Sequence, residues 1–250
     1  MARTSSKRVS TIDAGSIDLD GRPHPVTVRI DRRAKRLIMR IDNCGCIRLT
    51  CPHEKDVGAA LAMAKSRRDW IGSRLAEMAP PTPFTAGETI PVLGRDRLIV
   101  LDPAQRSPAI LEPQVIRVGG GNADLVPGRV TRLLRREVQT LCRKRALSAS
   151  ARLGVTIGRI RVREMKTRWG SCSARGDITF NWRLAHAPVD VLDYVVCHEV
   201  AHRQHMDHSP AFWKVVEFLY PGYGAQERWL RDEGRTLFSY GTEPVLANAD

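Results

Sequence analysis

The sequence predicts an α+β protein, a β-rich N-terminal part followed by a mainly helical part with a small sheet. Three observations carry that prediction. Short alternating apolar runs dominate residues 21–120, apolar residues recur at helical spacing beyond them, and Gly- and Pro-rich stretches punctuate the two. The chain has 250 residues, 42% of them hydrophobic and 27% charged. That length buries a sizeable core without disulfides, and the composition excludes collagen-like and fully disordered chains.

Residues 1–20 are polar and are expected to form a flexible leader. Val26, Val28 and Ile30 alternate, and 37–39 and 47–49 continue the strand pattern, with Asn43-Cys44-Gly45 as a hairpin turn. Residues 54–78 follow as one helix with Ala59, Leu61, Ala62, Trp70, Ile71 and Leu75 on its apolar stripe, and Pro80, Pro81 and Pro83 end it. Strands return near 89–93, 97–101, 110–111 and 115–118. Gly119-Gly120-Gly121-Asn122 marks a domain boundary, so the expected division is 1–20, 21–120, 121–242 and a tail 243–250. Beyond it a basic helix covers 128–153, strands 160–163 and 178–181, and helices about 188–205, 210–220 and 225–238. No internal repeat is evident.

No run approaches the about 18 apolar residues of a membrane span. The N-terminus also lacks the apolar core of a secretory signal, which sets a cytoplasmic expectation. The 40 Lys+Arg against 27 Asp+Glu give a net charge of +13. Eleven Arg or Lys and one acid, Glu137, lie between Arg129 and Arg163. This stretch is either a solvated face or a surface for nucleic acid or acidic substrates. The six cysteines contain no C-x-x-C pair, so a disulfide framework is not expected, and Cys44, Cys46 and Cys51 make a weak metal-binding cluster.

Histidine is the informative residue. Of seven, His198, His202, His205 and His208 fall close together. His198-Glu199-Val200-Ala201-His202 is an H-E-x-x-H pattern on a predicted helix, where residues four apart share a face. Two imidazoles so placed can hold one Zn²⁺ at about 2.0–2.1 Å, and Glu199 beside them can take a proton from an activated water. A third ligand from outside the helix completes the set. His208, just before the Ser209-Pro210 helix start, is favoured over His205, Glu217 and Glu227. Asp190, Asp193 and Asp207 are candidates to orient the imidazoles. Phe212, Trp213, Val216 and Leu219 form the apolar face that supports His208.

Upstream stand Arg168-Trp169-Gly170-Ser171-Cys172 and a strand ending in Asn181. Together with the Tyr194-Val195-Val196 helix carrying H-E-x-x-H and the following His208-Ser209-Pro210-Ala211-Phe212-Trp213, they make the sequence resemble the YgjP-like zinc metallopeptidases. These are related more distantly to the SprT-like and WLM proteases. The similarity extends loosely to residues 25–240. It implies a zincin-like catalytic domain with one zinc per chain, His198, His202 and His208 as ligands, and Glu199 as general base for hydrolysis of a protein or peptide substrate.

In that frame 168–172 forms a cleft wall, the strand at about 177–182 pairs with an extended substrate, and Trp169, Asn181 and Arg183 are the substrate-binding candidates. Alternatively Trp169 and Cys172 simply pack under the helix. A nucleophilic Cys172 needs a histidine base, and the histidines have a better use. Arg183, Asn181, Tyr220 and Tyr223 are the open options for a second oxyanion donor. The competing function is a nucleic-acid-associated basic protein whose zinc is structural or secondary. Oligomeric state and cleavage specificity have no sequence signal.

Overall fold

The computed structural model describes residues 9–19, 21–42 and 45–242. Within them lie six α-helices and three small mixed sheets, an α+β architecture. The hairpin residues Asn43 and Cys44, the first residues of the expected leader and the 243–250 tail lie outside the described residues. No described helix is long and apolar enough to cross a membrane.

The chain divides into two units, one reaching Pro81 and the other spanning Thr82–Thr242. In the first, β1 (Val9–Leu19), β2 (Arg22–Asp31), β3 (Ile38–Ile41) and β4 (Ile47–Cys51) form a sheet ordered β1-β2-β4-β3. Most of the expected leader is therefore an edge strand. Only Ile17 and Leu19 of β1 are buried, which is why its sequence looks like a polar arm. Helices α1 (Val57–Lys65) and α2 (Arg68–Ala76) replace the single helix expected over 54–78, with a break at Ser66 and Arg67. They cover a core of Val26, Val28, Ile47, Leu49, Ala60 and Ile71, all fully buried.

The second unit opens with β5 (Thr89–Val92), β6 (Arg95–Asp102), β7 (Ala109–Leu111) and β8 (Val115–Gly119), ordered β5-β6-β8-β7. This sheet repeats the first, register for register. Ile17 opposes His24 and Leu19 opposes Arg22, as Ile90 opposes Arg97 and Val92 opposes Arg95. The parallel pairs Val26–Ile47 and Val28–Leu49 are matched by Ile99–Ile116 and Leu101–Val118. Gly21 and Gly94 both take φ 78 at the hairpin tip. The repeat escapes the sequence because it conserves apolar alternation and little else, chiefly the Gly-Arg tip and the Ile-Arg of the fourth strand.

The boundary expected at 119–122 falls inside this unit. A Cβ on Gly119 would run into the carbonyl oxygens of Gln105 and Ser107, so this glycine serves a close backbone approach rather than a linker. Helix α3 (Val126–Leu153) follows, with Val130, Leu134, Val138, Cys142 and Ala149 along its buried face and Gly154 at φ 65 stopping it.

A three-stranded sheet ordered β10-β11-β9 comes next, built from β9 (Ile160–Arg163), β10 (Gly170–Cys172) and β11 (Ile178–Asn181). Helices α4 (Val189–Ala201), α5 (Pro210–Leu219) and α6 (Gly224–Asp232) complete the unit. Helix α4 is apolar nearly all round because it packs against α3, α5, α6 and β10 together.

A candidate metal centre

His198 and Glu199 lie in the last turn of α4, and His202 is its C-terminal capping residue. The helix stops short of the expected 205 because the chain turns there. The carbonyl oxygen of His205 comes back to His202 Nδ1 at 3.0 Å. His205 thus contributes its backbone, fixing the His202 tautomer and leaving Nε2 as the lone-pair nitrogen.

His208 precedes α5, whose start is set by Ser209, which accepts from Phe212 N–H at 3.4 Å, and by Pro210 in the first turn. The chain reversal brings His208 Nε2 to 3.2 Å from His198 Nε2. Ligand nitrogens of His198, His202 and His208 all lie within 4.8 Å of one another. Phe212, fully buried, sits beneath all three rings, at 4.9 Å from His198, 4.6 Å from His202 and 4.9 Å from His208. No other group of three or more His, Cys, Asp or Glu gathers at metal-binding spacing among the described residues, and the expected cysteine cluster lies partly outside them through Cys44.

These residues fit a metal. Two ligands at about 2.0–2.1 Å on a tetrahedral zinc stand about 3.3–3.4 Å apart, close to the 3.2 Å between His198 and His208. Ligation requires neutral imidazoles, and the surroundings of His198 and His202 favour that form. Burial pushes His198 down to about 3, assisted by the two neighbouring imidazoles, and burial also lowers His202.

Glu199 is buried, with Oε2 lacking any hydrogen-bond partner. Burial pushes its carboxyl up to about 8 against the pull of Arg168. A cation alongside favours the carboxylate and lowers that value. Gly170 makes the carboxyl's position possible, since a Cβ there would come within 2.6 Å of Glu199 Cγ and 2.7 Å of Cδ. The three imidazoles and Glu199 line a cleft of about 560 Å³ with Arg168, Trp169, Gly170 and Cys172 on the strand side and Tyr194, Val195 and Leu230 opposite.

The remaining candidates are placed differently. Trp169 lines the cleft, its ring 5.0 Å from Phe238. Asn181 is wholly buried. Its Nδ2 donates to the carbonyls of Met165 (2.8 Å) and Arg168 (3.2 Å), which ties it to the β9–β10 connection. Arg183 is buried too and donates to Glu164 and to the carbonyls of Leu237, Phe238 and Tyr240, which ties down the C-terminal segment. Neither is among the residues that line the cleft.

Strand β11 is central, hydrogen-bonded on both sides, and has no edge for a substrate; β10 holds the outer position. Asn181 N–H bonds to Trp169 O and Ser173 N–H to Asp177 O, so the alternation of an antiparallel pair turns the main-chain groups of Gly170 and Cys172 outward. Cys172 faces no histidine; its thiol approaches Ser173 O at 3.5 Å, and burial raises its pKa.

Tyr223 stacks between Trp213 (5.2 Å) and Tyr194 (6.0 Å), buttressing His198 from behind. Glu217 accepts from Gly222 N–H. Asp193 pairs with Arg145, Asp190 with Gln226, and Asp207 caps Ser209; Asp207 acts on His202 and His205 through charge and not through a hydrogen bond. Tyr194 and Gly170's role escaped the sequence reading, although Tyr194 lies one turn before His198, a spacing that places both on one face.

In the basic stretch 129–163 some side chains have partners, while Arg143, Lys144, Arg159 and Arg163 are exposed. Arg129 bonds to Gly119 O, Arg145 pairs with Asp193 at 3.0 Å, Arg152 holds the carbonyls of Phe218 and Leu219, and Arg161 faces Asp177.

The mixed α+β architecture and the histidine cluster able to hold a metal define a metal-binding protein. The YgjP-like, metallopeptidase domain family model matches residues 35–233, and the chain belongs to the YgjP-like metallopeptidase family. Among solved structures, the metallopeptidase zymogen of Pyrococcus abyssi abylysin is 27% identical, covering 38% of this chain and 96% of that one, with a TM-score of 0.34. No curated protein matches the chain.

Proposed function

We propose that the protein is a zinc-dependent peptidase in which His198, His202 and His208 hold the ion and Glu199 is the general base. One observation carries the reading: three imidazoles converge over Phe212 beside a buried carboxylate with an unpartnered oxygen. Zinc bound there supplies Lewis-acid polarisation of the scissile carbonyl and makes water a nucleophile near neutral pH.

The chain's own residues do the rest. An extended peptide adds to β10 through the outward main-chain groups of Gly170 and Cys172, an attachment that is indifferent to side chains. Trp169 and Leu230 give the cleft apolar walls beside the reacting atoms. Glu199 Oε2 accepts a proton from the attacking water and passes it to the leaving amine nitrogen.

Glu199→Gln tests the assignment. The variant is expected to retain one zinc per chain, measured by metal analysis, and to lose about 10²–10⁴-fold in peptide hydrolysis. Zinc retention with an undiminished rate removes Glu199 as the base.

A further inference from the structure

The cleft carries one charged side chain that this mechanism leaves unused. Arg168 stands two residues before β10 and lines the same cavity as Glu199 and the three histidines. Its backbone is fixed, since its carbonyl oxygen accepts from Asn181 Nδ2. Its side chain is exposed, and its guanidinium makes no hydrogen bond or ion pair among the described residues. Apart from its charge attraction to the buried Glu199, no acidic side chain among the described residues pairs with it. Glu164, the one acid between β9 and β10, is committed to Trp182 and Arg183. Arg163, also exposed, adds positive charge on the same connection, and exposed Arg175 adds it beyond the other end of β10.

An arginine in this position can meet one of two negative groups. A donor for the developing oxyanion works by being held in place beforehand, and nothing holds this guanidinium. A carboxylate carried in by the substrate brings its own planar partner and orders the fork as it binds. We propose that Arg168 is a specificity-determining residue that gives the cleft a preference for peptides bearing a carboxylate close to the scissile bond. This rests on the peptidase reading and names its substrate class.

The experiment compares paired octapeptides with Glu or Gln at each position flanking the cleaved bond, each with a free or an amidated C-terminus. The zinc-loaded protein is expected to cleave the best Glu peptide with a kcat/KM about 5- to 10-fold above its Gln partner, mostly through KM. A preference that follows the internal Glu places the carboxylate on a side chain, and one that follows the free terminus places it at the chain end.

In Arg168→Ala that ratio falls to about one, and in Arg168→Glu it falls below one, the Gln peptide being preferred. An unchanged Glu-to-Gln ratio in Arg168→Ala overturns the proposal, as does equal cleavage of all pairs by the unsubstituted protein. Fluorescence anisotropy with the same labelled pairs on Glu199→Gln reads the preference without turnover. A Glu preference in binding alongside no cleavage by the unsubstituted protein removes the peptidase reading and leaves the role of Arg168 standing. Cleavage without discrimination does the reverse.

Discussion

The sheets β1–β4 and β5–β8 share strand order, pairing and register, yet they are used differently. The first is covered by its own short helices α1 and α2. The second lends its face to α3 and its hairpin tip to the segment leading into α4. Leu93 N–H donates to Ala185 O at 2.7 Å, His186 Nδ1 meets Pro91 O at 2.8 Å, and Gly94 packs beside Pro188. One topology thus serves once as a self-contained module and once as the support of the helix that carries His198 and Glu199. What distinguishes the two is which neighbours the tip and face residues meet, a property of long-range contacts rather than of the strands themselves.

The largest effect that can break this comparison comes from equivalent core truncations. Ile47 in β4 and Ile116 in β8 are both fully buried and hold matching register positions. Each substitution to Ala is expected to cost about 2–5 kcal/mol. Ile116→Ala is expected to weaken zinc retention as well, because its sheet carries α3 and the lead-in to α4, whereas Ile47→Ala leaves it unchanged. Denaturant unfolding paired with zinc titration reads both. Equal loss of zinc affinity in the two variants defeats the division of labour.

Acid sharpens the comparison at the next level. His186 is completely buried, stacked 4.5 Å from Tyr240, and burial pushes it down to about 3. The unfolded chain therefore binds the proton more readily than the folded one. The stabilisation is complete above the ordinary histidine value of about 6.5 and is lost progressively as pH falls toward 3. His186 alone accounts for about 2 kcal/mol by pH 5. His198 and His202 act in the same sense, so the metal-free protein is compared with His186→Gln, whose stability between pH 7 and pH 5 should fall by that much less. In the first sheet His24 is also lowered by burial, but only partly buried, and its substitution changes the pH slope less. Identical slopes with and without His186 contradict the assignment.

The sequence made the site more legible than the scaffold. His198, Glu199, His202 and His208 are local in sequence, and helix geometry plus the Ser209-Pro210 start bring them together. Helix α3 was legible for the same reason, its stripe and its terminal Gly154 both being local signals. Asn181 and Arg183 are picked out because polar residues beside a motif suggest substrate contact. Their partners, carbonyls of residues 165 and 168 and of 237, 238 and 240, emerge only from tertiary folding. The break between α1 and α2 carries no Pro or Gly, and β1 buries too few side chains to show a face.

The smallest expected effect concerns the two hairpin tips. Gly21 and Gly94 share φ 78, a conformation that costs an L-residue about 1 kcal/mol, so Gly21→Ala and Gly94→Ala are expected to pay nearly the same backbone penalty. Their surroundings differ. A Cβ at Gly21 meets nothing within 4 Å, while one at Gly94 lies 3.5 Å from Pro188 Cα, an ordinary contact that requires no displacement. Near-equal destabilisation, read by denaturant unfolding, means that the tip of the second sheet holds α4 through the Leu93 and His186 hydrogen bonds. An extra loss of more than about 1 kcal/mol in Gly94→Ala, accompanied by weaker zinc binding, means instead that close packing of the glycine on Pro188 is what fixes the start of that helix, and the second sheet's role then narrows to a single contact.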